Sequence, residues 1–188
     1  MTLSFSSRIR PAHRVSIGAA ILVLSLALVP AGCKRHKPVT ARTVEEAPPL
    51  ASTIATADSR TAAQLVSGFY GIEQNSWRWT AGRFSVLLHP PQNAGTKGAM
   101  LQLKFAIPDV SLAKLKTITL TAYVNGTPLP PETYTQAGQF LFSREVPANL
   151  LVDDTARIDF SVDKTMPPTP ADRRELGVVV SMVGLQPK

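Results

Sequence analysis

The chain has 188 residues, 44% of them hydrophobic and 18% charged, with a net charge of +7 and a single cysteine. One cysteine excludes an internal disulfide framework. The charge excludes a nucleic-acid binder by its placement: eight Lys/Arg and three Asp/Glu fall in residues 1–63, leaving twelve and ten for the rest, with no basic stripe to follow phosphates.

Residues 15–33 read VSIGAAILVLSLALVPAGC and follow Arg8, Arg10 and Arg14, with no acidic residue before them. A basic start, an apolar run and a small-residue end are the marks of an export signal. Pro30, Ala31, Gly32 and Cys33 resemble the lipobox, the processing site of bacterial lipoproteins. Ala31, Gly32 and Cys33 match that pattern. Pro30 stands where the family usually has Leu or another aliphatic residue, and Val29 and Leu28 lie one and two places early. The resemblance implies a diacylglyceryl group on the Cys33 thiol and cleavage that makes Cys33 the new N-terminus. The partner it implies is a membrane, inner or outer, holding the exported protein in the cell envelope by lipid. Two other readings stay open. The run could be an uncleaved span, although a span wants about 20 apolar residues and Pro30 interrupts this one. It could also be an ordinary secretory signal, with Cys33 incidental.

Lys34, Arg35, His36 and Lys37 would then lie against lipid head groups, where basic residues contribute about 1 kcal/mol each, or simply start a solvated linker. Residues 34–63 show no sustained apolar period, and Pro38, Pro48 and Pro49 oppose regular structure. They are expected to form a flexible linker, about 30 Å root-mean-square as a coil. A short helix is the one element expected there, over residues 59–66.

From residue 64 to 188 the pattern has period two. Phe84, Val86 and Leu88 alternate with Ser85 and Leu87. Leu101, Leu103, Phe105 and Ile107 form a second series, and Ile118, Leu120, Ala122 and Val124 a third. Phe140 and Phe142 share a face, as do Ile158, Phe160 and Val162. In the last run Val178, Val180 and Met182 oppose Val179 and Val183, which predicts a strand covered on both faces. Such alternation buries one face of a strand and wets the other. Pro90-Pro91, Gly95, Pro130-Pro131, Gly138, Pro147 and Pro167-Pro168 separate the runs, and Asn125-Gly126 predicts a tight hairpin. Residues 109–116 predict one short helix. The expected fold is all-β, an antiparallel β-sandwich or jelly roll, with a closed barrel as the other solution. A domain of this size buries enough core without disulfides.

Residues 68–88, GFYGIEQNSWRWTAGRFSVLL, resemble a class of small bacterial β-sandwich domains with the galactose-binding-like fold, found in envelope and glycosyltransferase-associated proteins. LTAYVNGTPLP at 120–130, the Gly138-Gln139-Phe140 strand ending at Val146-Pro147, and ADRRELGVVVSMVGL at 171–185 agree with it. The resemblance implies the fold and a carbohydrate-binding role. It carries over no binding residue, because ligand specificity lies in the site rather than the fold.

Trp77 and Trp79 lie two apart, so on a strand their rings share a face. Exposed, they could stack on sugar rings, with Arg78 bonding hydroxyls from the other face; buried, they would plug the core. Tyr70, Glu73 and Arg174 complete the candidate ligand-binding set. Glu73, Arg78, Asp172, Arg173, Arg174 and Glu175 could instead include a buried ion pair locking the last loop to the first strand. Tyr123 and Tyr134 either line a sugar site or cover strand edges. His89 precedes Pro90-Pro91 and reads as a turn residue, and no G-x-S-x-G motif supplies a nucleophile. Asp153-Asp154 is the one calcium-like pair, and it reads better as a loop. No enzyme activity, metal or cofactor is expected. Two functions fit: an envelope lipoprotein binding polysaccharide, or one acting as a structural or protein-interaction module.

Overall fold

The computed structural model of the chain describes residues 49–188. The export signal, Cys33, the basic run behind it and residues 34–48 of the expected linker lie outside the described residues. No helix among the described residues is long and apolar enough to cross a membrane.

The described residues form ten strands: β1 Thr53–Ala55, β2 Leu65–Glu73, β3 Trp77–Leu88, β4 Ala99–Ile107, β5 Ile118–Val124, β6 Thr127–Pro128, β7 Glu132–Tyr134, β8 Gly138–Val146, β9 Ala156–Val162 and β10 Val179–Pro187. Two short helices, α1 Ala94–Lys97 and α2 Asp109–Leu115, and two 3-10 turns, Ser59–Gln64 and Ala148–Leu150, fill connections. The helix expected near residue 109 is α2, and the one expected near residue 59 is the first 3-10 turn.

Every strand pairing is antiparallel, and the sheet forks at β3. One edge of β3 pairs with β2. The other pairs first with β10, through Arg78 and Trp79, and then with β9, from Arg83 to Leu88. One wing continues through β10 to β4 and β8, with β1 alongside β10. The other runs through β9 to β5, which carries β6 and β7. Thr80 holds the fork together. It is fully buried, its backbone N–H donates to the Val178 carbonyl at 2.9 Å, and its Oγ1 accepts from the Val178 N–H at 3.1 Å. Gly177 passes so close that a Cβ there would lie 2.6 Å from the Ala81 carbonyl oxygen, so only glycine fits.

The two wings face each other across one core, so the fold is the sandwich and not the closed barrel. Across the core Phe105 of β4 meets Tyr134 of β7 edge-on at 5.1 Å between ring centres, and beside them Phe84 stacks on its neighbour in β9, Phe160, at 4.9 Å. The predicted inward series at 84–88, 101–107, 118–124 and 158–162 are all buried. Full burial of each large apolar side chain contributes about 1.5–3 kcal/mol. The Asn125-Gly126 hairpin joins β5 to β6 with both residues at positive φ, 48° and 84°.

Three expectations are corrected. The linker end at residue 63 lies inside the folded unit: Ile54 is 1% exposed, Thr56 donates its hydroxyl to the Val180 carbonyl at 2.7 Å, and Gln64 bridges Ala51 and Leu87. A three-residue strand with one inward side chain shows no period, so the sequence alone does not reveal it. The last strand does not alternate through Met182. A register shift between Val180 and Met182 inserts one residue against β4, so burial passes from Val178 and Val180 to Val183 and Leu185. Val183 thus joins the core face of Val178 and Val180 beyond the bulge, while Val179 stays outward and half-buried. Finally, β2 is a nine-residue strand with no clean alternation, because its pairing with β3 shifts register three times. Gly68 sits at one such shift with φ +75°, and a Cβ at that position would fall 2.1 Å from the Arg83 carbonyl oxygen.

Candidate functional site

Alternation along β3 sends odd-numbered side chains outward and even-numbered ones toward the core, as Thr80, Phe84, Val86 and Leu88 show. Trp77 and Trp79 are therefore both outward and half-buried. Their rings meet edge to face, 6.4 Å between centres at 84°, the geometry that aromatic quadrupoles favour. Neither ring plugs the core.

Trp77 lines a groove of about 560 Å³ on the outside of the β3-β10-β4-β8 wing. Leu141 and Val179 supply further apolar surface, while Lys104, Gln139 and Ser181 supply polar groups. The register makes the arrangement orderly: Trp79, Val179, Ala106 and Gln139 form one row across four strands. Trp79 stands beside the groove and supports Trp77 without lining the groove itself. Lys104, Gln139 and Ser181 were not singled out from sequence. Their only signal is that they occupy the wet positions of strands whose other face is core.

Arg78 points the other way. Its Nε donates to the Thr56 carbonyl and its Nη1 to the Tyr70 carbonyl, both at 2.7 Å. These bonds tie the end of β1 and the middle of β2 to β3, so two of its donor nitrogens are already committed within the fold. Tyr70 is engaged as well: its hydroxyl donates to the Glu175 carbonyl at 2.7 Å, and the Arg174 guanidinium lies 5.4 Å from its ring centre.

Arg174 is the centre of the expected lock. Its Nη1 donates to Glu73 Oε1 at 2.8 Å, and its Nε and Nη2 grip the Asp172 carboxylate at 3.0 and 2.8 Å. The pairing of Glu73 with Arg174 matches the ion pair expected between the last loop and the first strand. It is not buried: both side chains are about a third exposed. The hydrogen bonds from Arg174 hold the Asp172 carboxyl down at about 2, below its ordinary 3.8. Glu73 sits opposite Trp77 in the β2–β3 register, so this clamp fixes the hairpin that carries the tryptophan. The turn between them, Gln74-Asn75, has both residues at positive φ, 49° and 53°. The structure thus divides the candidate set. Trp77 and Trp79 face outward together, and Tyr70, Glu73, Arg78 and Arg174 bond the hairpin to its surroundings.

The remaining candidates lie elsewhere. Tyr134 is 6% exposed and packs on Phe105 and Phe140 in the core. Tyr123 is on the outside of the other wing. The His89 ring bonds through Nδ1 to the Asp154 carbonyl at 2.7 Å, so it pins the loop carrying Asp153-Asp154. Among the described residues, no group of three His, Cys, Asp or Glu side chains is placed to hold a metal ion.

No protein-family model matches the sequence, and no curated protein matches it. Among solved structures, the chain is similar to one described as "CBM4 structure and function", at 14% identity and a TM-score of 0.39, covering 72% of this chain and 85% of that one. It is also similar to one described as "The structure of CBM51-2 in complex with GlcNAc and INT domains from Clostridium perfringens ZmpB". There the identity is 11% and the TM-score 0.34, covering 72% of this chain and 28% of that one.

Proposed function

We propose that the protein is a lipoprotein of the cell envelope, held to a membrane through Cys33, whose β-sandwich binds carbohydrate in the groove beside Trp77. The observation that carries the binding reading is the Trp77 ring itself: a large aromatic face kept out of the core and set against an open groove. A sugar ring has an apolar face and a polar rim. Trp77 and Leu141 suit the first, and Gln139, Ser181 and Lys104 suit the second. The groove volume falls in the range of small-ligand sites. The clamp through Arg174 holds the hairpin before ligand arrives, which reduces the ordering cost of binding. The anchor rests on the sequence of residues 8–33, and the domain works as a binding module without a catalytic step.

Titration calorimetry of residues 49–188 with neutral oligosaccharides tests the groove. Binding that weakens at least about tenfold in Trp77→Ala, a loss of about 1.4 kcal/mol, supports it. No binding to any glycan, or unchanged binding in the variant, sinks it. Metabolic labelling of the full chain with a fatty-acid analogue, absent in Cys33→Ser, tests the anchor.

One observation favours the other reading, an envelope lipoprotein that binds a protein. Leu141 is 50% exposed on β8, which among the described residues pairs with β4 alone, so an apolar lip adjoins a strand edge unpaired among those residues. A stoichiometric protein partner recovered from solubilised membranes, and released by Leu141→Lys, would replace the carbohydrate reading.

A further inference from the structure

The outward positions of β3 carry a second groove at the strand's other end. Ser67, Arg83, Tyr123, Arg157, Asp159 and Ser161 line about 520 Å³ on the outside of the β2-β3-β9-β5 wing. The register sets them in rows. Ser67, Ser85, Asp159 and Tyr123 form one row across four strands, and Arg83, Ser161 and Thr121 form the next.

The floor of this groove is a bonded network. Ser85, 6% exposed, donates its hydroxyl to the Asp159 carboxylate. Arg157 donates to the same carboxylate through Nε at 2.9 Å and to Ser85 Oγ through Nη2 at 3.1 Å. Arg157 and Asp159 thus neutralise each other. Arg83 is exposed and has no side-chain hydrogen bond or ion pair among the described residues. Two acids share a smaller hollow with Arg83 on its far side, Asp163 and Glu175. Asp163 accepts from the Thr119 N–H at 2.6 Å, and Glu175 accepts from the Thr165 hydroxyl at 2.7 Å. The lining of the groove itself therefore carries two guanidinium groups and one carboxylate beside its hydroxyl and phenol groups, and the Arg83 guanidinium keeps its N–H donors free among the described residues, with the Asp163 and Glu175 carboxylates behind it.

We propose that this groove binds a carboxylated sugar, such as a uronic acid unit of an acidic polysaccharide, with its carboxylate on Arg83. A guanidinium pairs with a carboxylate through two parallel N–H bonds. With the Asp163 and Glu175 carboxylates on its far side, Arg83 suits a monoanion better than a phosphate dianion. The sugar hydroxyls meet Ser67, Ser161 and the outer edge of the Asp159 carboxylate. The site is separate from the Trp77 groove and stands whether or not that groove binds neutral glycans.

The test is calorimetry on the full chain in detergent, comparing trigalacturonate with its fully methyl-esterified form at low salt. The free acid is expected to bind about tenfold or more tightly than the ester, the usual worth of a hydrogen-bonded charge pair, and added salt should narrow the gap. Arg83→Gln should bring the two probes to equal affinity while the thermal midpoint holds, since Arg83 is exposed. Equal affinities in the unaltered chain overturn the proposal. So does a preference for the acid that survives Arg83→Gln, or one that disappears in Trp77→Ala instead. Neutral glycans binding through Trp77 with no preference for the acid would overturn this site and leave the other intact.

Discussion

Trp77 and Arg78 are neighbours in the chain and belong to different regions of the molecule. Trp77 stands on the outer face beside an open groove, with Trp79 edge-on behind it. Arg78 turns inward and gives two N–H groups to the carbonyls of Thr56 and Tyr70. The outer face has unmade contacts to offer, whereas the hairpin clamp has used most of its own on the fold. The difference teaches that a recognisable run such as WRWT mixes both kinds of residue, and that strand parity sorts them. In this domain the aromatic pair faces outward, and the charged residues around it keep the pair in place.

The strongest way to break that comparison is Arg78→Ala. It leaves the Thr56 and Tyr70 carbonyls without their donor and should destabilise the domain by about 2 kcal/mol, read as a lower midpoint in urea unfolding. Glycan affinity of the folded protein should not change. A variant that unfolds normally but no longer binds would move Arg78 to the ligand-facing side. Trp79→Ala is next in size. Losing the edge-to-face contact should lower stability by about 1 kcal/mol and weaken glycan binding by a few fold, because Trp77 loses its support. Binding lost as completely as in Trp77→Ala would show that Trp79 touches the sugar directly.

The smallest expected effect is that of acid on the clamp. The Asp172 carboxyl is held at about 2, chiefly by the side-chain hydrogen bond from Arg174, against an ordinary 3.8. A carboxyl lowered by folding adds stability above its unfolded value and loses it as pH falls through the folded one. Thermal midpoints should therefore carry the Asp172 contribution undiminished above about pH 4 and lose it between about pH 4 and 2. Asp172→Asn should remove that part of the acid sensitivity. A variant whose midpoint falls with acid as steeply as the unaltered chain's would show that the clamp contributes nothing.

Much of the core was legible because each long strand reports its own burial. Ile118, Leu120, Ala122 and Val124 are all fully buried, and Thr119, Thr121 and Tyr123 between them are half-exposed. The Asn125-Gly126 turn was legible for a similar reason: both residues tolerate the positive φ that a tight hairpin demands. The Gln74-Asn75 turn has the same backbone and passed unnoticed, since Gln is no marker for that conformation. Met182 was misplaced because a bulge leaves no trace in residue types. The Trp pair was legible as a pair, but its face was not, since Trp serves core and surface alike. The second groove went unseen. Its rows run across strands, so Ser67, Ser85, Asp159 and Tyr123 are neighbours only through the register.

Local sequence determined what local physics can decide: which stretches are strands, which of their faces avoid water, and where the chain turns. Tertiary structure alone decided the fork at β3, the bulge in β10, the membership of Ile54 in the core and the side of β3 that each charged residue serves. These depend on contacts such as Thr56 with Val180 and Glu73 with Arg174, 124 and 101 positions apart. Residues so far apart carry no mutual signal in a single chain, and only the pairing of β1 with β10 and the return of the last loop onto β2 bring them within hydrogen-bonding distance.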